Sequence, residues 1–282
     1  MKILAATDFS TRSNRALRQA GLLAQASGAS LAVVHVVDDD QPQAILDMEQ
    51  READAILREQ ISVMPELQKA DCNPLVVTGS PFSGILAAAT TMRADLIVMG
   101  AHRRQLLRDI FVGTTVERVI RTGPFPVLMV NREVQEHYDR VLIPVELSEP
   151  SIHALRMAKA SGLINLTQAT MLHAFMAIGK GKPPMAGADA ADYDASERQN
   201  AIEELVRFLV ANGFDGQKWS LRVEEGAPTD VIARAVEQMR ADLVIMGTHA
   251  RSGLLKELIG SVTEAILRTV DADVLAVPPA RR

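Results

Sequence analysis

The chain has 282 residues, of which 48% are hydrophobic and 23% are charged, and its formal net charge is −5. This composition is typical of a soluble globular protein of roughly two domains, and it excludes disorder over most of the length. No apolar run approaches the roughly 18–20 residues of a membrane-spanning helix, and the mild acidity argues against nucleic-acid binding. Because the sequence has a single cysteine and opens without a secretory signal pattern, we expect a cytoplasmic protein without disulfides.

An internal repeat runs through the chain. Residues 92–100 (MRADLIVMG) and 239–247 (MRADLVIMG) are identical at seven of nine positions. Upstream of these segments, KILAATDFS at 2–10 aligns with RVLIPVELS at 140–148. A repeat of this extent indicates two diverged copies of one structural unit.

The two copies are expected to form two domains, at 1–131 and 138–282, with the boundary in the polar stretch 131–138. The number of residues between a segment of the first copy and its counterpart in the second copy is larger downstream than upstream. An insertion in the second copy, around 179–194, explains this change, and we expect it to be a surface loop.

Within each copy, short apolar runs rich in β-branched residues alternate with segments of helical period. The predicted strands of the first copy are 2–7, 31–37, 74–78, 95–99 and 126–130, and Cys72 falls in a loop before the third of them. The second strand, LAVVHVV, is apolar almost throughout, which indicates burial on both faces in a parallel sheet. We therefore predict an α/β fold of two repeated, doubly wound (Rossmann-like) domains, each a five-stranded parallel sheet flanked by helices.

The first helix has recognisable ends in the sequence. Ser10 is the predicted N-cap, and Gly28 is the predicted stop. Apolar residues at helical spacing between these ends predict the buried face; they are Ala16, Leu17, Ala20, Leu23 and Ala24. The matching stripe in the second copy, before Asn212-Gly213, comprises Ile202, Leu205, Val206 and Leu209.

The candidate binding residues follow strands one, two and four. In an open parallel sheet, ligands bind beyond the carboxyl ends of the strands, where the strand order reverses. The loop after strand four opens on a glycine and ends on a glycine and a hydroxyl residue at the start of the last helix, a pattern that suits phosphate. The candidates of the first copy are Asp8, Val36, Gly100, Gly113, Thr114 and Thr115, and those of the second are Glu146, Ala174, Gly247, Gly260, Ser261 and Val262.

With these loops the sequence resembles the universal stress protein family in its tandem two-domain form, over essentially the whole chain. Nucleotide-binding members of that family carry a Gly-x2-Gly-x9-Gly-Ser/Thr loop after strand four and an Asp at the end of strand one. The resemblance implies ATP, accompanied by Mg²⁺, with Val36 and Ala174 at the adenine. Both copies keep the loop spacing, but Arg103 and Ala250 replace the second glycine, and Glu146 replaces the Asp. The binding pattern is therefore incomplete in each copy.

From this pattern we expect a stress-response protein that binds ATP as a regulatory ligand in at least one copy. No catalytic residue is assigned, although the resemblance implies that slow ATP hydrolysis or self-phosphorylation occurs in some members. His102 and His249 share one loop position, but no nucleophile lies beside them in sequence, which favours a structural role. The alternatives are an interaction or assembly protein with degenerate phosphate loops, and a slow ATPase or autophosphorylating protein.

Two further expectations concern metals and assembly. The six histidines and one cysteine show no metal-ligand spacing, so no metal site is predicted. The last strands of the copies, 126–130 and 273–277, are candidate sheet edges. In the family these edges pair, which implies an internal pseudo-dimer of the two halves, and we also expect a homodimer of chains.

Overall fold

The computed structural model describes residues 1–101, 114–133, 137–161, 169–176, 190–214, 219–248 and 259–280. The elements of the first half are β1 (Lys2–Ala6), α1 (Thr11–Ser27), β2 (Ser30–Val37), α2 (Gln43–Val63), α3 (Pro65–Gln68), β3 (Cys72–Thr78), α4 (Pro81–Met92), β4 (Leu96–Gly100), α5 (Thr115–Thr122) and β5 (Val127–Val130). Those of the second half are β6 (Val141–Pro144), α6 (Glu149–Ser161), β7 (Ala169–Phe175), α7 (Ala190–Ala211), β8 (Ser220–Glu225), α8 (Pro228–Met239), β9 (Leu243–Gly247), α9 (Ser261–Thr269) and β10 (Asp273–Val277).

The strands form one sheet in the order β3-β2-β1-β4-β5-β10-β9-β6-β7-β8. Within each half all pairings are parallel, and the strand order reverses between β1 and β4 and again between β6 and β9. The predicted fold class is confirmed. The two five-stranded sheets are continuous, because β5 and β10 pair antiparallel, with Leu128 opposite Leu275.

Successive strand residues face opposite sides of the sheet, and both sides are buried. In β1, Ile3 belongs to one apolar cluster and Leu4 to the other, and both side chains are fully buried. Each cluster contains residues of both halves: Ile3 shares its cluster with Leu275, and Leu4 shares its cluster with Val274. The core therefore continues across the β5–β10 junction.

The predicted ends of α1 are confirmed. Ser10 is the N-cap, and its Oγ accepts a hydrogen bond from the backbone N–H of Ser13 at 3.3 Å. Gly28 ends the helix with φ of +63°, the left-handed conformation that glycine adopts without strain. In the second half, Leu205 and Leu209 of α7 are buried as predicted, whereas Val206 is 39% exposed.

The prediction that Cys72 lies in a loop is wrong. β3 begins at Cys72, which pairs with Leu31 of β2, two residues earlier than the sequence suggested. Pro74 misled the prediction, but β3 lies at the edge of the sheet, where a strand tolerates a missing N–H donor. No helix in the described part of the chain is long and apolar enough to cross a membrane.

Candidate functional site

Each half has a cleft at the carboxyl ends of its first, second and fourth strands. Cleft one, in the first half, is lined by four of the candidate residues, namely Asp8, Val36, Gly100 and Thr115. Cleft two, in the second half, is lined by six, namely Glu146, Ala174, Gly247, Gly260, Ser261 and Val262. Thr114 lies beside cleft one but does not line it. The remaining candidates, Arg103, Gly113 and Ala250, lie outside the described residues, as do His102 and His249.

In both halves, the carboxylate of the acidic residue after the first strand accepts a hydrogen bond from the turn that follows. Oδ1 of Asp8 accepts a hydrogen bond from the backbone N–H of Ser10 at 3.0 Å. Burial favours a higher pKa for Asp8, but hydrogen bonds from Ser10 and Ser13 outweigh it and lower the pKa below the usual 3.8. In the second half, the Ser148 hydroxyl donates to Oε1 of Glu146 at 2.7 Å. Each carboxylate thus shapes its turn while it faces its cleft.

Histidines at equivalent positions of the second strands form hydrogen bonds to the backbone at the ends of the first strands. Nδ1 of His35 lies 2.9 Å from the carbonyl oxygen of Thr7, and Nδ1 of His173 lies 2.7 Å from that of Val145. A carbonyl oxygen only accepts, so Nδ1 carries the proton in each case. Both histidines therefore bond the second strand to the end of the first, and His35 also lines cleft one.

Gly100 and Gly247 lie where a helix passes so close to the strand that no side chain fits. A Cβ at Gly100 would lie 2.7 Å from the carbonyl oxygen of Arg12 in the first turn of α1. One at Gly247 would lie 2.9 Å from the carbonyl oxygen of Pro150 in the first turn of α6. The sequence suggested that these glycines make room for a ligand. The structure gives a further reason: without a side chain, they let strand four and the first helix pack together at the base of each cleft.

The helices at the far walls of the clefts begin differently. Thr114 is the N-cap of α5: its Oγ1 accepts from the backbone N–H of Glu117 at 3.2 Å, and its own N–H donates to Oε2 of Glu117 at 3.0 Å. This reciprocal arrangement is a capping box. The N-cap of α9 is Gly260, which has no side chain with which to cap the helix, and Ser261 is exposed in the first turn.

A third wall of each cleft was missed by the sequence analysis. It is the start of the helix after the third strand, where Pro81 and Ile85 of α4 line cleft one and Pro228 and Ile232 of α8 line cleft two. The available signal was the proline at the first helical position directly after a strand, since such a proline marks a helix start at the carboxyl edge of the sheet.

The sequence profile described as the universal stress protein family matches residues 1–131 and again residues 137–278. The chain belongs to the universal stress protein family. It matches Universal stress protein E of Salmonella typhi with 26% identity over 212 residues, which cover 71% of this chain and 65% of that protein. The corresponding protein of Escherichia coli strain K12 matches with 25% identity over 208 residues and the same coverages. The match therefore spans just under two thirds of the length of these relatives.

Solved structures of this family show the same fold. A universal stress protein from Archaeoglobus fulgidus superposes with a TM-score of 0.70 at 21% identity, covering 99% of this chain and 98% of that one. A putative universal stress protein from Pseudomonas aeruginosa superposes with a TM-score of 0.64 at 22% identity, covering 99% and 93%. As a universal stress protein, the chain therefore has its family's fold over nearly its whole length.

The two clefts of this universal stress protein differ in the side chains that they present. Asp8, Ser10, Arg12 and His35 make cleft one polar at the end towards α1. Cleft two has more apolar lining, which includes Val145, Leu172, Ile232 and Met246. Its polar side chains are those of Glu146, of Ser151 in α6, and of Ser261 and Thr263 at the start of α9.

Proposed function

We propose that this universal stress protein binds ATP as a regulatory ligand in at least one of its two clefts. The observation that carries the proposal is the convergence in cleft two of six candidate residues from three separate parts of the sequence, after strands one, two and four. Such convergence at the strand-order reversal is typical of nucleotide sites in doubly wound folds.

The chemistry of the lining suits the parts of a nucleotide. Ala174 and the apolar floor of cleft two provide a surface for adenine, and Glu146 provides an acceptor for a ribose hydroxyl. Ser261 and the first backbone N–H groups of α9 provide donors for phosphate oxygens. In cleft one, Val36 and Asp8 hold the positions of Ala174 and Glu146, and Thr115, one residue after the position that aligns with Ser261, supplies a hydroxyl.

Mg²⁺ is assigned no ligands from the protein. The described residues contain no group of three or more His, Cys, Asp or Glu side chains that could hold a metal ion. We expect Mg²⁺ to arrive with the triphosphate and to be coordinated mainly by phosphate oxygens and water.

Native mass spectrometry tests this proposal. The protein is desalted until free of nucleotide and titrated with ATP and Mg²⁺, and the result is compared with calorimetry under the same conditions. We expect a mass increase equal to bound ATP that saturates at or below millimolar concentration. An unchanged mass and no heat at millimolar ATP would contradict the proposal.

Two matched substitutions then identify the cleft that is occupied. Gly260→Arg places a large side chain at the start of α9, and Gly113→Arg does the same at the aligned position of the first copy. Loss of binding with one variant and not the other assigns the site. Retention of full binding in both variants would mean that ATP binds elsewhere.

A second candidate function is that of an interaction or assembly protein without nucleotide. Arg103 and Ala250, which stand where the family has glycine, favour it, and the absence of binding in the titration would support it. We further propose that the protein is cytoplasmic and that two chains form a homodimer. Because β5 and β10 already pair within one chain, such a dimer has to use another surface, and the native mass reports it directly.

A further inference from the structure

The same four-residue pattern stands at the start of the last helix in both halves, but its residues form a capping box in the first half only. Thr114-Thr-Val-Glu117 and Ser261-Val-Thr-Glu264 both fit the Ser/Thr-x-x-Glu pattern of a capping box. They align exactly in the repeat, so the sequence alone predicts the same helix start in both halves. The structure shows two different starts, and the difference lies where each cleft would receive phosphate.

In the first half the capping box is formed, and an arginine of the second half bonds to its glutamate. Glu117 is 5% exposed, and its Oε2 accepts from the backbone N–H of Thr114 at 3.0 Å. Its Oε1 accepts from Nε of Arg268 at 2.7 Å, an ion pair that joins α5 to α9. The carboxylate is therefore held in place by a helix start on one side and by a guanidinium on the other.

In the second half the box is not formed. The helix begins one residue earlier, with Gly260 as N-cap, and the backbone N–H of Glu264 donates to the carbonyl oxygen of Gly260 at 2.9 Å. The Glu264 side chain pairs with Arg268 at 2.9 Å, one helical turn further along, rather than returning to Ser261. Ser261, Val262 and Thr263 of this first turn line cleft two. The carboxylate of Glu264, although it belongs to the same turn, is directed along the helix towards Arg268 and does not cap the helix start.

We propose that Glu117 determines which cleft takes the phosphate end of ATP, so that cleft two fills first and cleft one binds ATP more weakly. A carboxylate at a helix start occupies N–H donors and offsets the positive end of the helix, and both effects disfavour a second anion there. Thr115 and Val116, the residues next to this carboxylate, line cleft one. This inference rests on the proposed function and adds to it the residue that makes the two halves unequal.

The test is a two-site titration with ATP and Mg²⁺, read by native mass spectrometry, of the wild type and two matched variants. For the wild type we expect one equivalent to bind at least about tenfold more tightly than the second. Glu117→Ala removes the carboxylate, so its two equivalents should bind with similar affinity. Glu264→Ala is the control: it stands at the aligned position and also loses a contact with Arg268, but it breaks no capping box, so it should behave as the wild type.

The cleft that fills first is assigned with Gly260→Arg. In the wild-type background this substitution should remove the tight equivalent, and in the Glu117→Ala background it should leave one equivalent, in cleft one. Three results would each overturn the inference while leaving ATP binding intact. The first is a wild type that binds both equivalents with equal affinity, and the second is a tight equivalent that survives Gly260→Arg. The third such result is a Glu117→Ala variant that titrates as the wild type does. No bound ATP in any variant would overturn the proposed function together with the inference.

Because Glu117 is buried, each variant is first checked for native secondary structure by circular dichroism. Should Glu117→Ala not fold, Glu117→Gln replaces it, since glutamine can keep the capping geometry while it loses the charge. The gap between the two affinities should then narrow, and an unchanged gap would again overturn the inference.

Discussion

Gly100 and Gly247 show how the structure can add a second reason for a residue that the sequence singles out. The sequence places both glycines at the mouth of a binding loop, which suggests close approach of a ligand. In the structure, the missing Cβ makes room for backbone atoms of α1 and α6. The glycines thus serve the packing that forms each cleft, and they also line it.

Gly100→Ala should therefore reduce stability even when no ligand is present. The new Cβ would lie 2.7 Å from the carbonyl oxygen of Arg12, so α1 has to shift, and such overpacking typically costs about 1–3 kcal/mol. Urea unfolding measures the loss. Gly28→Asn is the control, because nothing lies within 4 Å of a Cβ there and asparagine tolerates its φ of +63°. Equal stability of Gly100→Ala and the wild type would show that the packing contact is not limiting.

At the scale of elements, the connection between the halves is more firmly held than its polar sequence suggests. The backbone N–H groups of Asn131 and Arg132 donate to Oδ1 of Asp273 at 2.8 and 3.0 Å, and the Tyr138 hydroxyl donates to Oδ2 at 2.7 Å. Asp273 is the first residue of β10 and is 3% exposed. The buried carboxylate of Asp273 therefore accepts hydrogen bonds from both ends of the segment that connects the halves.

Tyr138→Phe should destabilise the protein in a pH-dependent way. Burial raises the pKa of Asp273, and the hydrogen bond from Tyr138 opposes that rise. Since the folded state holds the Asp273 proton more tightly than the unfolded chain, stability from this group is present below about pH 3.8 and is lost as the pH rises through the folded-state pKa. Removing the hydroxyl raises that pKa further, so the variant should lose about 1.5–3 kcal/mol at neutral pH and less in acid.

Urea unfolding of the wild type and Tyr138→Phe across the acid-to-neutral range measures this dependence. The difference in unfolding free energy should grow as the pH rises. A difference that is constant with pH would mean that the hydroxyl does not interact with the ionised carboxylate.

Sequence patterns predicted the local features and missed those that depend on distant partners. Ser10 and Gly28 were identifiable because the signals for a helix end lie within a few residues of it. The two starts of the last helices were not, since Thr114 and Ser261 begin the same pattern and the distinguishing contact comes from Arg268, far along the chain from Glu117. Likewise, nothing near Tyr138 in the sequence indicates that Asp273 will accept a hydrogen bond from its hydroxyl.

At the scale of the whole molecule, the repeat has produced one continuous structure. The ten strands form a single sheet, and each of its two apolar faces is packed by residues of both halves. The pairing of β5 with β10 and the ion pair between Glu117 and Arg268 cross the junction. Two halves that share a sheet and a core in this way should lose stability together.

The single tryptophan makes this cooperativity measurable. Trp219 lies in the second half, 5.6 Å from the ring of Phe214, so its fluorescence reports that half alone, whereas far-UV circular dichroism reports both. If the chain unfolds as one unit, the two signals should give coincident urea transitions. Gly100→Ala, placed in the first half, should then lower the midpoint of the Trp219 transition by as much as it lowers that of the dichroism. A fluorescence midpoint that stays at the wild-type value would show instead that the halves unfold independently, because a shared core transmits the loss and separate cores do not.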